Sequence, residues 1–414
     1  MSISERISKP GNELIPPLSL YHLLDPEVLA NPYPLYHRLL SEAPVYWDPF
    51  LHTWVVTRYR DVVTVLQNFS AVRTPTPEQL MTLGLSTLAP IAEILIRQML
   101  FMDAPAHTRI RGLVSKAFAP RRVELLRSHI QEITDELIDA VQEKGQMDVI
   151  ADLAYPLPAI VTAELMGLPT SDWRQLITWS TDFAEALGNF QHNPNHAQHT
   201  LRSLKEMCDY FHSAVGEHLK QPKDDLIGAL LNAENEGDSL TGEEVVANSI
   251  MLMTGGQETT TNLIGNGILT LLHNPGEFEK IQTNPSLIPS TIEELLRFES
   301  PIQYTSRLAP KDVQIGGQTI HQRQAVIVVM GAANRDPERF IDPDQLDICR
   351  QDNRHLAFAW GSHFCFGAPL ARLEGQIVFE TILRRIPNLK LEPGPVKWRE
   401  NLGFRGLTTL PVKF

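Results

Sequence analysis

Apolar side chains recur every three or four residues over most of the chain, the spacing that places them on one face of an α-helix. Residues 121–144 show this spacing most clearly, with apolar positions at Val123, Leu126, Ile130, Ile133, Leu137, Ile138 and Val141. Similar amphipathic runs predict helices at 174–188, 200–219, 277–282, 290–298 and 368–386. The chain is therefore expected to be mainly α-helical.

Strand signals are fewer and shorter. Runs rich in β-branched residues predict strands at 53–57 and 325–330. The segments 313–315 and 318–320, joined by two glycines, predict a hairpin with a tight turn. The predicted fold class is therefore mainly α with a small β-sheet region.

A long helix with a weak centre is predicted between Thr241 and Asn274. Thr241 and Glu244 have the spacing of a capping box, and Asn274 before proline is a stop signal. The roughly thirty residues between them would span about 45 Å. The middle, 254–261, contains two glycines and three consecutive threonines, which lower helix propensity. Either the helix is kinked there for a functional reason, or the glycines form a packing notch where another backbone crosses.

Composition and charge limit the class of protein. The 414 residues carry a net charge of −13, which argues against nucleic acid as a partner. No segment reaches the roughly 18 apolar residues of a membrane span, and no signal-peptide pattern begins the chain. The three cysteines are scattered and no linker composition appears. We expect a single domain over 1–414 with an N-terminal arm over 1–30, in the cytoplasm and without a membrane anchor.

One cysteine stands between two glycines in residues 358–372, FAWGSHFCFGAPLAR. A helix beginning just after Cys365 would offer its N-terminal N–H groups and dipole to a thiolate. Gly361 and Gly367 would let the backbone turn sharply and approach a flat ligand. Taken alone, the cysteine could also be inert, or could ligate zinc with His363, although no two further ligands are evident at matching spacing.

The pattern F-x-x-G-x-H-x-C-x-G-x-x-L-A-R resembles the heme-binding loop of the cytochrome P450 family. The resemblance extends over most of the chain from about Asn31 onward and is most specific at this loop. It implies a helical-prism fold with a minor sheet region and heme b, iron protoporphyrin IX, as cofactor. Cys365 would be the axial ligand of the iron, and Phe358, Gly361 and Gly367 would contact the heme.

The resemblance also implies a set of groups that bind the heme propionates. His107 and Arg111, four residues apart on a predicted helix, would bind one of them. Arg307 and His363 match further propionate contacts. A His-x-x-x-Arg pair by itself is more typical of a solvated helix start, so this assignment depends on the resemblance.

The weak centre of the long helix, Gly255-Gly256-Gln257-Glu258-Thr259, is similar to the small-Gly-x-acid-Thr signature of the family. An opened turn at Gly256 would make room for dioxygen above the iron. Thr259 would donate a hydrogen bond there and Glu258 would relay protons, because delivery needs an acid and an alcohol on adjacent residues. Many bacterial members have alanine and histidine in place of Gly255 and Gln257, a departure that leaves the acid–alcohol pair intact.

The tetrapeptide from Glu294 to Arg297 resembles the structural E-x-x-R pair of the family. An identical tetrapeptide occurs at 124–127, so the motif alone carries little weight. The copy at 294 is distinguished by the Ser-Pro turn that follows it and by its distance from the cysteine. A third member is expected to complete the pair, with Arg350 preferred over Arg339.

A local excess of basic residues lies between 109 and 127 in this acidic chain. Against the single acid Glu124 it comprises Arg109, Arg111, Lys116, Arg121, Arg122 and Arg127. The segment is either a solvated helix face or a docking patch for an acidic ferredoxin or flavodoxin. Because the sequence ends at Phe414, electrons are expected from such a separate partner and not from a fused reductase.

The resemblance implies a mostly apolar pocket, which predicts a lipophilic small-molecule substrate. The pocket residues would be Met251, Thr254, Gly255, Gln303, Tyr304, Thr305 and Phe404, with parts of 80–100. Histidines at 192, 196 and 199 are expected in an exposed loop near the substrate entrance, with a metal site as the alternative.

The predicted function is that of a heme-thiolate monooxygenase, which inserts one oxygen atom from O2 into its substrate by hydroxylation or epoxidation. Two alternatives stay open: a peroxide-driven heme hydroxylase, and a non-catalytic heme sensor or electron carrier. The acid–alcohol pair favours the oxygen-driven enzyme, since a sensor or carrier has no use for it.

Overall fold

Helices form most of the fold. The structure, a computed structural model, describes residues 18–118, 123–188, 194–235 and 238–414. Its helices are α1 (Pro26–Ala30), α2 (Tyr33–Glu42), α3 (Tyr59–Asn68), α4 (Pro77–Thr82), α5 (Ala89–Leu95), α6 (Ala106–Ala117), α7 (Arg127–Gln142), α8 (Pro156–Leu165), α9 (Trp173–Gly188), α10 (Pro194–Lys220), α11 (Leu226–Leu231), α12 (Gly242–His273), α13 (Pro275–Thr283), α14 (Ile288–Phe298), α15 (Met330–Ala333) and α16 (Ala368–Arg385). Among these residues, no helix has the length and apolar character needed to cross a bilayer.

The strands are short and form small sheets. They are β1 (Val45–Asp48), β2 (Thr53–Val56), β3 (Gln146–Asp148), β4 (Glu234–Asn235), β5 (Asp238–Ser239), β6 (Tyr304–Leu308), β7 (Val313–Ile315), β8 (Gln318–Ile320), β9 (Ala325–Val329), β10 (Lys390–Leu391), β11 (Lys397–Trp398), β12 (Leu407–Thr409) and β13 (Pro411–Lys413). The largest sheet has the order β1-β2-β9-β6, with β2 and β9 parallel and the other neighbours antiparallel. The predicted hairpin is β7–β8. The mainly α fold with small sheets is confirmed.

The predicted long helix is α12, and it begins with the predicted capping box. The Thr241 hydroxyl accepts from the Glu244 N–H at 3.2 Å, and the Glu244 carboxylate accepts from the Thr241 N–H at 2.8 Å. The helix continues from Gly242 to His273, so its weak centre does not interrupt it. Most of its residues are buried, and tertiary packing of this kind offsets a low helix propensity.

The centre of α12 lies between two apolar clusters. The first half of the helix, with Val245 and Ile250, belongs to a cluster that also contains Phe183. The second half, with Leu263 and Ile268, belongs to another cluster, built largely with α14 and α16. The glycine-containing centre, 254–261, therefore contributes no residue to either apolar cluster.

Most predicted elements are confirmed, but several have different bounds. Within the run 121–144, α7 begins at Arg127, and a turn at 125–126 separates it from the helical residues Val123 and Glu124. The strand predicted at 325–330 is β9 and stops one residue early, because Met330 begins α15.

The polar segment with three histidines is more helical than expected. Because α10 begins at Pro194, His196 and His199 lie in its first turns and not in a loop. His199 Nδ1 lies 3.3 Å from the Asp182 carboxylate. His192 is outside the described residues. Within the described ranges, no three His, Cys, Asp or Glu side chains are grouped as a metal site.

Glu294 on α14 is the centre of a buried charge network. Its carboxylate accepts from Arg297 Nη2 at 2.7 Å and from Arg350 Nε at 3.2 Å. Arg297 also donates to the carbonyls of Asn334 and Pro343, both at 2.8 Å. Removing one partner would leave a buried charge uncompensated, so the network fixes the chain that leads towards the cysteine loop.

The competing candidates for this network form pairs near the surface. Arg339, the second choice for the third member, donates to Asp352 at 2.7 Å. In the duplicate tetrapeptide, Arg127 donates to Glu124 at 2.5 Å, with side-chain exposures of 41% and 61%. Exposed pairs of this kind contribute little to stability.

One buried carboxyl group has no such partner. Glu374 on α16 is 1% exposed, and neither of its oxygens has a hydrogen-bond partner among the described residues. Burial raises the pKa of Glu374 to about 8. The folded protein therefore holds this side chain protonated at neutral pH, whereas the unfolded chain ionises it.

Glu374 should make the protein less stable as the pH rises. Between the ordinary pKa of 4.5 and the folded value of about 8, the unfolded chain releases a proton that the folded protein keeps. The free energy of unfolding should then fall by up to about 1.4 kcal/mol per pH unit, as measured by urea unfolding over this range. Glu374→Gln should lose this slope, and Glu380→Gln, an exposed change on the same helix, should keep it. Equal slopes in all three proteins would contradict the prediction.

Candidate functional site

Cys365 is held just before the N-terminus of α16. Its N–H donates to the Phe358 carbonyl at 3.0 Å, and α16 begins three residues later at Ala368. Burial raises the pKa of the Cys365 thiol, and hydrogen bonds from the N–H groups of Gly367 and Ala368 counteract part of this rise. The sulfur thus faces two N–H donors and the positive end of a helix dipole, which suits a thiolate that binds a metal cation.

The two glycines of this loop have different conformations. Gly361 has a φ of +74°, in the left-handed region, and supplies the sharp turn that the sequence predicts. Gly367 has a φ of −78°, an ordinary helical value. A Cβ at Gly367 would lie 3.8 Å from the Cys365 sulfur. The turn at Gly367 therefore does not use the left-handed conformation that favours glycine, and its lack of a side chain leaves the approach to the sulfur open.

Basic side chains gather beside the cysteine loop. The rings of His107 on α6 and His363 in the loop have centroids 4.1 Å apart. Arg307 on β6 is 2% exposed, and its Nε has no hydrogen-bond partner among the described residues. Burial, reinforced by neighbouring groups that include His107 and Arg307, lowers the pKa of His363 to about 3. Together with Arg73, these residues form what we call the cation cluster: Arg73, His107, Arg307 and His363. The two arginines carry its positive charge, and the two imidazoles are hydrogen-bond donors.

The cation cluster lacks counter-ions. The carboxylate that acts on its cations is Asp103, whose oxygens already accept from Ser70 Oγ at 2.6 Å and the Ala71 N–H at 2.8 Å. Neither Arg73 nor Arg307 forms a salt bridge with any carboxylate that the structure describes. Because buried guanidinium groups without counter-ions are costly, the cluster is suited to a ligand that carries carboxylates.

Arg73 is a member that no sequence motif indicates. Its guanidinium donates to the carbonyls of Ala71 at 3.1 Å and Leu100 at 3.3 Å, and lies 4.4 Å from the Phe101 ring centroid. Burial, followed by the charge of Arg307, lowers the pKa of Arg73 to about 9. Only the approach of the 71–73 segment to β6 and to the cysteine loop identifies it.

Arg111 is directed towards the cysteine loop and not into the cation cluster. Its Nη2 donates to the Phe364 carbonyl at 2.6 Å, and its guanidinium lies 5.1 Å from the Phe366 ring centroid. His107, one turn earlier on α6, instead stacks on His363. The two residues predicted to bind one carboxylate together thus have different partners in this structure.

The two glycines in α12 face different surroundings. The Thr259 hydroxyl donates to the Gly255 carbonyl at 2.7 Å, and a Cβ built on Gly255 meets no heavy atom within 4 Å. A Cβ on Gly256 would lie 2.9 Å from Thr162 Oγ1 on α8. Gly256, expected to make room for dioxygen, therefore serves as the packing notch, and the open space lies at Gly255.

Glu258 is enclosed by the protein. It is fully buried and forms an ion pair with Arg399, just after β11. Its other oxygen accepts from Thr181 Oγ1 on α9 at 3.3 Å. The acid and the alcohol are adjacent in sequence, yet Thr259 borders the open space and Glu258 contacts the C-terminal segment. No sequence signal indicates Arg399 as the partner.

Several residues predicted to line a substrate pocket have their polar groups or rings engaged by neighbouring residues. The Tyr304 hydroxyl donates to the Gly188 carbonyl at 2.6 Å, and a Cβ on Gly188 would lie 2.8 Å from the Phe404 ring. Tyr304 and Phe404 therefore meet at the end of α9. Gln303 is 2% exposed and donates to the Ser300 carbonyl at 2.7 Å, so its amide serves internal packing.

The remaining pocket candidates border the same region. Met251 is half-buried, and Thr254 is buried with a hydroxyl that has no partner among the described residues. Thr305 Oγ1 accepts from Arg307 Nη1 at 3.4 Å, so this residue adjoins the cation cluster.

The basic segment 109–127 is less open than its composition suggests. Arg109 forms an ion pair with Glu244 at the start of α12, and Arg127 pairs with Glu124. The side chain of Lys116 lies outside the described part of the chain, as do the whole residues Arg121 and Arg122. Of the three basic side chains of this segment that the structure describes, Arg109 and Arg127 are thus paired with carboxylates, and Arg111 is not.

This chain is similar in sequence and in fold to known proteins. The family model for cytochrome P450 matches residues 53–411. A biotin biosynthesis cytochrome P450 of Bacillus subtilis (strain 168) is 39% identical over 391 residues, covering 94% of this chain and 97% of that relative. The crystal structure of P450BioI, in complex with an acyl carrier protein ligated to hexadec-9Z-enoic acid, has a TM-score of 0.88 and 39% identity, covering 94% of this chain and 99% of that one. Myxobacterial CYP267B1 in complex with myristic acid has a TM-score of 0.87 and 36% identity, covering 96% and 99%.

The chain therefore belongs to the cytochrome P450 family. It is an oxidoreductase of the monooxygenase class, and its cofactor is heme, iron protoporphyrin IX. The cation cluster and Cys365 agree with that cofactor, which carries two carboxylates and an iron that accepts a thiolate ligand.

Removing the Arg399 charge should destabilise the protein through Glu258. Arg399→Gln leaves a buried carboxylate without its cation, which costs on the order of 3 kcal/mol in the free energy of unfolding. The double variant Arg399→Gln/Glu258→Gln removes both charges and should recover most of that loss. Chemical denaturation of the unaltered protein, of these two variants and of the single variant Glu258→Gln measures the coupling. The exposed pair Arg38–Glu42 is the control, with an expected coupling below about 1 kcal/mol. A double variant no more stable than Arg399→Gln would contradict the prediction.

Proposed function

We propose that this protein inserts one oxygen atom from O2 into a lipophilic small molecule, with electrons from a separate ferredoxin or flavodoxin. The observation that carries the proposal is a cation cluster without counter-ions beside Cys365, combined with the open face of α12 at Gly255 and Thr259. A heme sensor or electron carrier would need the first feature, but only oxygen chemistry has a use for the second.

The cation cluster and Cys365 fit heme. When bound, heme supplies an iron that activates dioxygen, and the thiolate ligand favours cleavage of the O–O bond. The two propionates would be counter-ions for Arg73 and Arg307. The uncharged imidazoles of His107 and His363 would donate hydrogen bonds to the same carboxylates.

Other residues of the loop and of α6 would complete the heme site. Arg111 would exchange its contact with the Phe364 carbonyl for a propionate oxygen. Phe358, buried beside the loop, would pack against the porphyrin. Gly361 supplies the turn that carries the chain past this ring, and Gly367 leaves the sulfur accessible.

Thr259 and Glu258 would move protons towards the open space. The Thr259 hydroxyl donates a hydrogen bond to the Gly255 carbonyl, and the residue is only half-buried. The hydroxyl can therefore rotate and donate to a bound ligand instead. Glu258 is paired with Arg399, so this ion pair must open before the carboxylate passes a proton. Protons would then enter from the side of Thr181 and the C-terminal segment.

Exposed apolar side chains favour a lipophilic substrate. Three apolar side chains, Met81 at the end of α4 with Leu83 and Leu85 just after it, are 55%, 68% and 39% exposed. A group of exposed apolar side chains of this kind is suited to contact with an apolar ligand. The two solved relatives described above hold long acyl chains, which supports a substrate of that type; Tyr304 and Phe404 would close the far end of its pocket.

Electrons would enter from the side of the cysteine loop. Phe364, next to Cys365, is 39% exposed. An exposed aromatic near a basic segment is a surface that an acidic ferredoxin or flavodoxin can dock on. The basic segment 109–127 would extend this surface.

Replacing Cys365 with alanine tests the heme-thiolate assignment. The reduced protein with carbon monoxide should lose the absorption band characteristic of thiolate ligation, because no sulfur remains to bind the iron. Cys349→Ala, which alters an exposed cysteine, should retain the band. If Cys365→Ala also retained it, the ligand assignment would be refuted.

Replacing Thr259 with alanine tests the proton relay. Without the hydroxyl, the yield of product per electron pair consumed should fall by at least about ten-fold and hydrogen peroxide should accumulate, while substrate binding stays unchanged. Thr283→Ala is a matched control, since Thr283 also donates to a carbonyl four residues earlier, but on the surface. Unaltered coupling would show that protons follow another route. Efficient turnover of the unaltered protein with peroxide alone would favour the peroxide-driven alternative.

A further inference from the structure

Arg372 closes the cysteine motif, but neither heme binding nor proton transfer as described above uses it. We propose that Glu293 and Arg372 form a charge-balanced pair that positions Phe358 and sets the electrostatic environment of the Cys365 sulfur. Glu293 is then a positioning residue for the metal ligand. This inference rests on the proposed heme-thiolate function and adds a residue that controls the electron density at its ligand.

The pair has bidentate geometry. Arg372 Nε donates to Glu293 Oε1 at 2.6 Å, and Arg372 Nη2 donates to Glu293 Oε2 at 2.8 Å. Two parallel charge-assisted hydrogen bonds hold the guanidinium plane in one orientation. Glu293 lies on α14 and Arg372 on α16, so the pair also ties the helix after the cysteine to the helix of the Glu294 network.

Glu293 holds a second group that belongs to the loop. His355 Nε2 lies 3.2 Å from Glu293 Oε2, and His355 Nδ1 accepts from the Ala357 N–H at 3.2 Å. Because Nδ1 accepts, the neutral ring carries its proton on Nε2 and donates it to Glu293. The carboxylate thus fixes the tautomer of His355, which in turn orients the backbone just before Phe358.

Both contacts converge on Phe358. The Arg372 guanidinium lies 4.6 Å from the Phe358 ring centroid, within the range of a cation–π contact. The Phe358 carbonyl accepts from the Cys365 N–H at 3.0 Å. The ring and the backbone of one residue therefore connect Glu293 to the proposed iron ligand through Arg372 on one side and His355 on the other.

The charges of the pair oppose each other near the sulfur. The Arg372 guanidinium lies over the ring of Phe358, and the Phe358 carbonyl accepts from the Cys365 N–H, so the positive charge lies beside the loop that holds the sulfur. Burial raises the pKa of Glu293, but the hydrogen bonds from Arg372 and His355 outweigh it and hold the pKa at about 2. Glu293 is thus ionised at neutral pH and offsets the charge of Arg372. Removing either member alone leaves the opposite charge uncompensated beside the ligand.

Reduction potentials of single and double variants test this charge balance. Glu293→Gln leaves an unpaired cation that favours the reduced iron, so the potential of the heme should shift to more positive values. Arg372→Gln leaves an unpaired carboxylate, so the potential should shift to more negative values. The double variant should lie close to the unaltered protein. Opposite shifts that cancel are expected from charge, whereas a loss of packing moves both variants in the same direction.

Heme retention tests the positioning role separately. Transfer of heme from Glu293→Gln to apomyoglobin should be about ten-fold faster than from the unaltered protein, as is typical when a partner of a metal ligand is removed. Glu132→Gln is the matched control, because Glu132 also lies against an imidazole, at 3.4 Å from His129, but on the surface. This control should change neither the transfer rate nor the potential.

Different outcomes would overturn the proposed function and the role of the Glu293–Arg372 pair. An unaltered protein that takes up no heme, or shows no thiolate spectrum, would overturn the proposed function. A protein with that spectrum whose two single variants keep its potential and transfer rate, or shift in the same direction, would overturn only the role of Glu293 and Arg372.

Discussion

Two neighbouring carboxylates on one helix, the fully buried Glu294 and the partly buried Glu293, hold the segments around the cysteine loop together. A carboxylate removed from water is stable only when cations and N–H donors surround it, so each one recruits a segment distant in sequence. Glu294 holds Arg297 and Arg350 and fixes the chain from 334 to 350, while Glu293 holds the helix that follows the cysteine. The cysteine loop joins these two segments, so charge burial as well as apolar packing determines where the sulfur lies.

The same requirement separates the groups that complete the fold from those that need a ligand. Glu258 has its counter-ion within the chain, in Arg399. Arg73 and Arg307 do not, although both are sufficiently enclosed for their pKa values to fall. Buried guanidinium groups without counter-ions are costly. The unpaired positive charge of Arg73 and Arg307 therefore favours an anionic ligand that reaches both groups. The carboxylates of heme meet this description.

The centre of α12 shows how adjacent residues of one type acquire different functions. Gly255 borders open space, and Gly256 packs against Thr162 on α8. Successive residues on a helix are rotated by about 100°, so a functional opening and a packing notch can stand side by side. The threonine and glutamate that follow divide in the same way, one towards the opening and the other towards the C-terminal segment.

Local sequence signals were sufficient to predict most helices and strands and to single out the cysteine loop. Apolar periodicity, the capping box before α12 and the glycine hairpin are local signals, so α9, α14 and β7–β8 could be predicted within a few residues. The cysteine motif predicts the metal ligand from contiguous residues, so no tertiary contact was needed for that prediction. The sequence could not identify the partner of each charged side chain. For example, the same E-x-x-R tetrapeptide occurs twice, and the structure buries one copy and leaves the other on the surface. Whether a long charged side chain at 73, 372 or 399 is solvated or buried depends on which distant segment packs over it, and only the tertiary structure decided that.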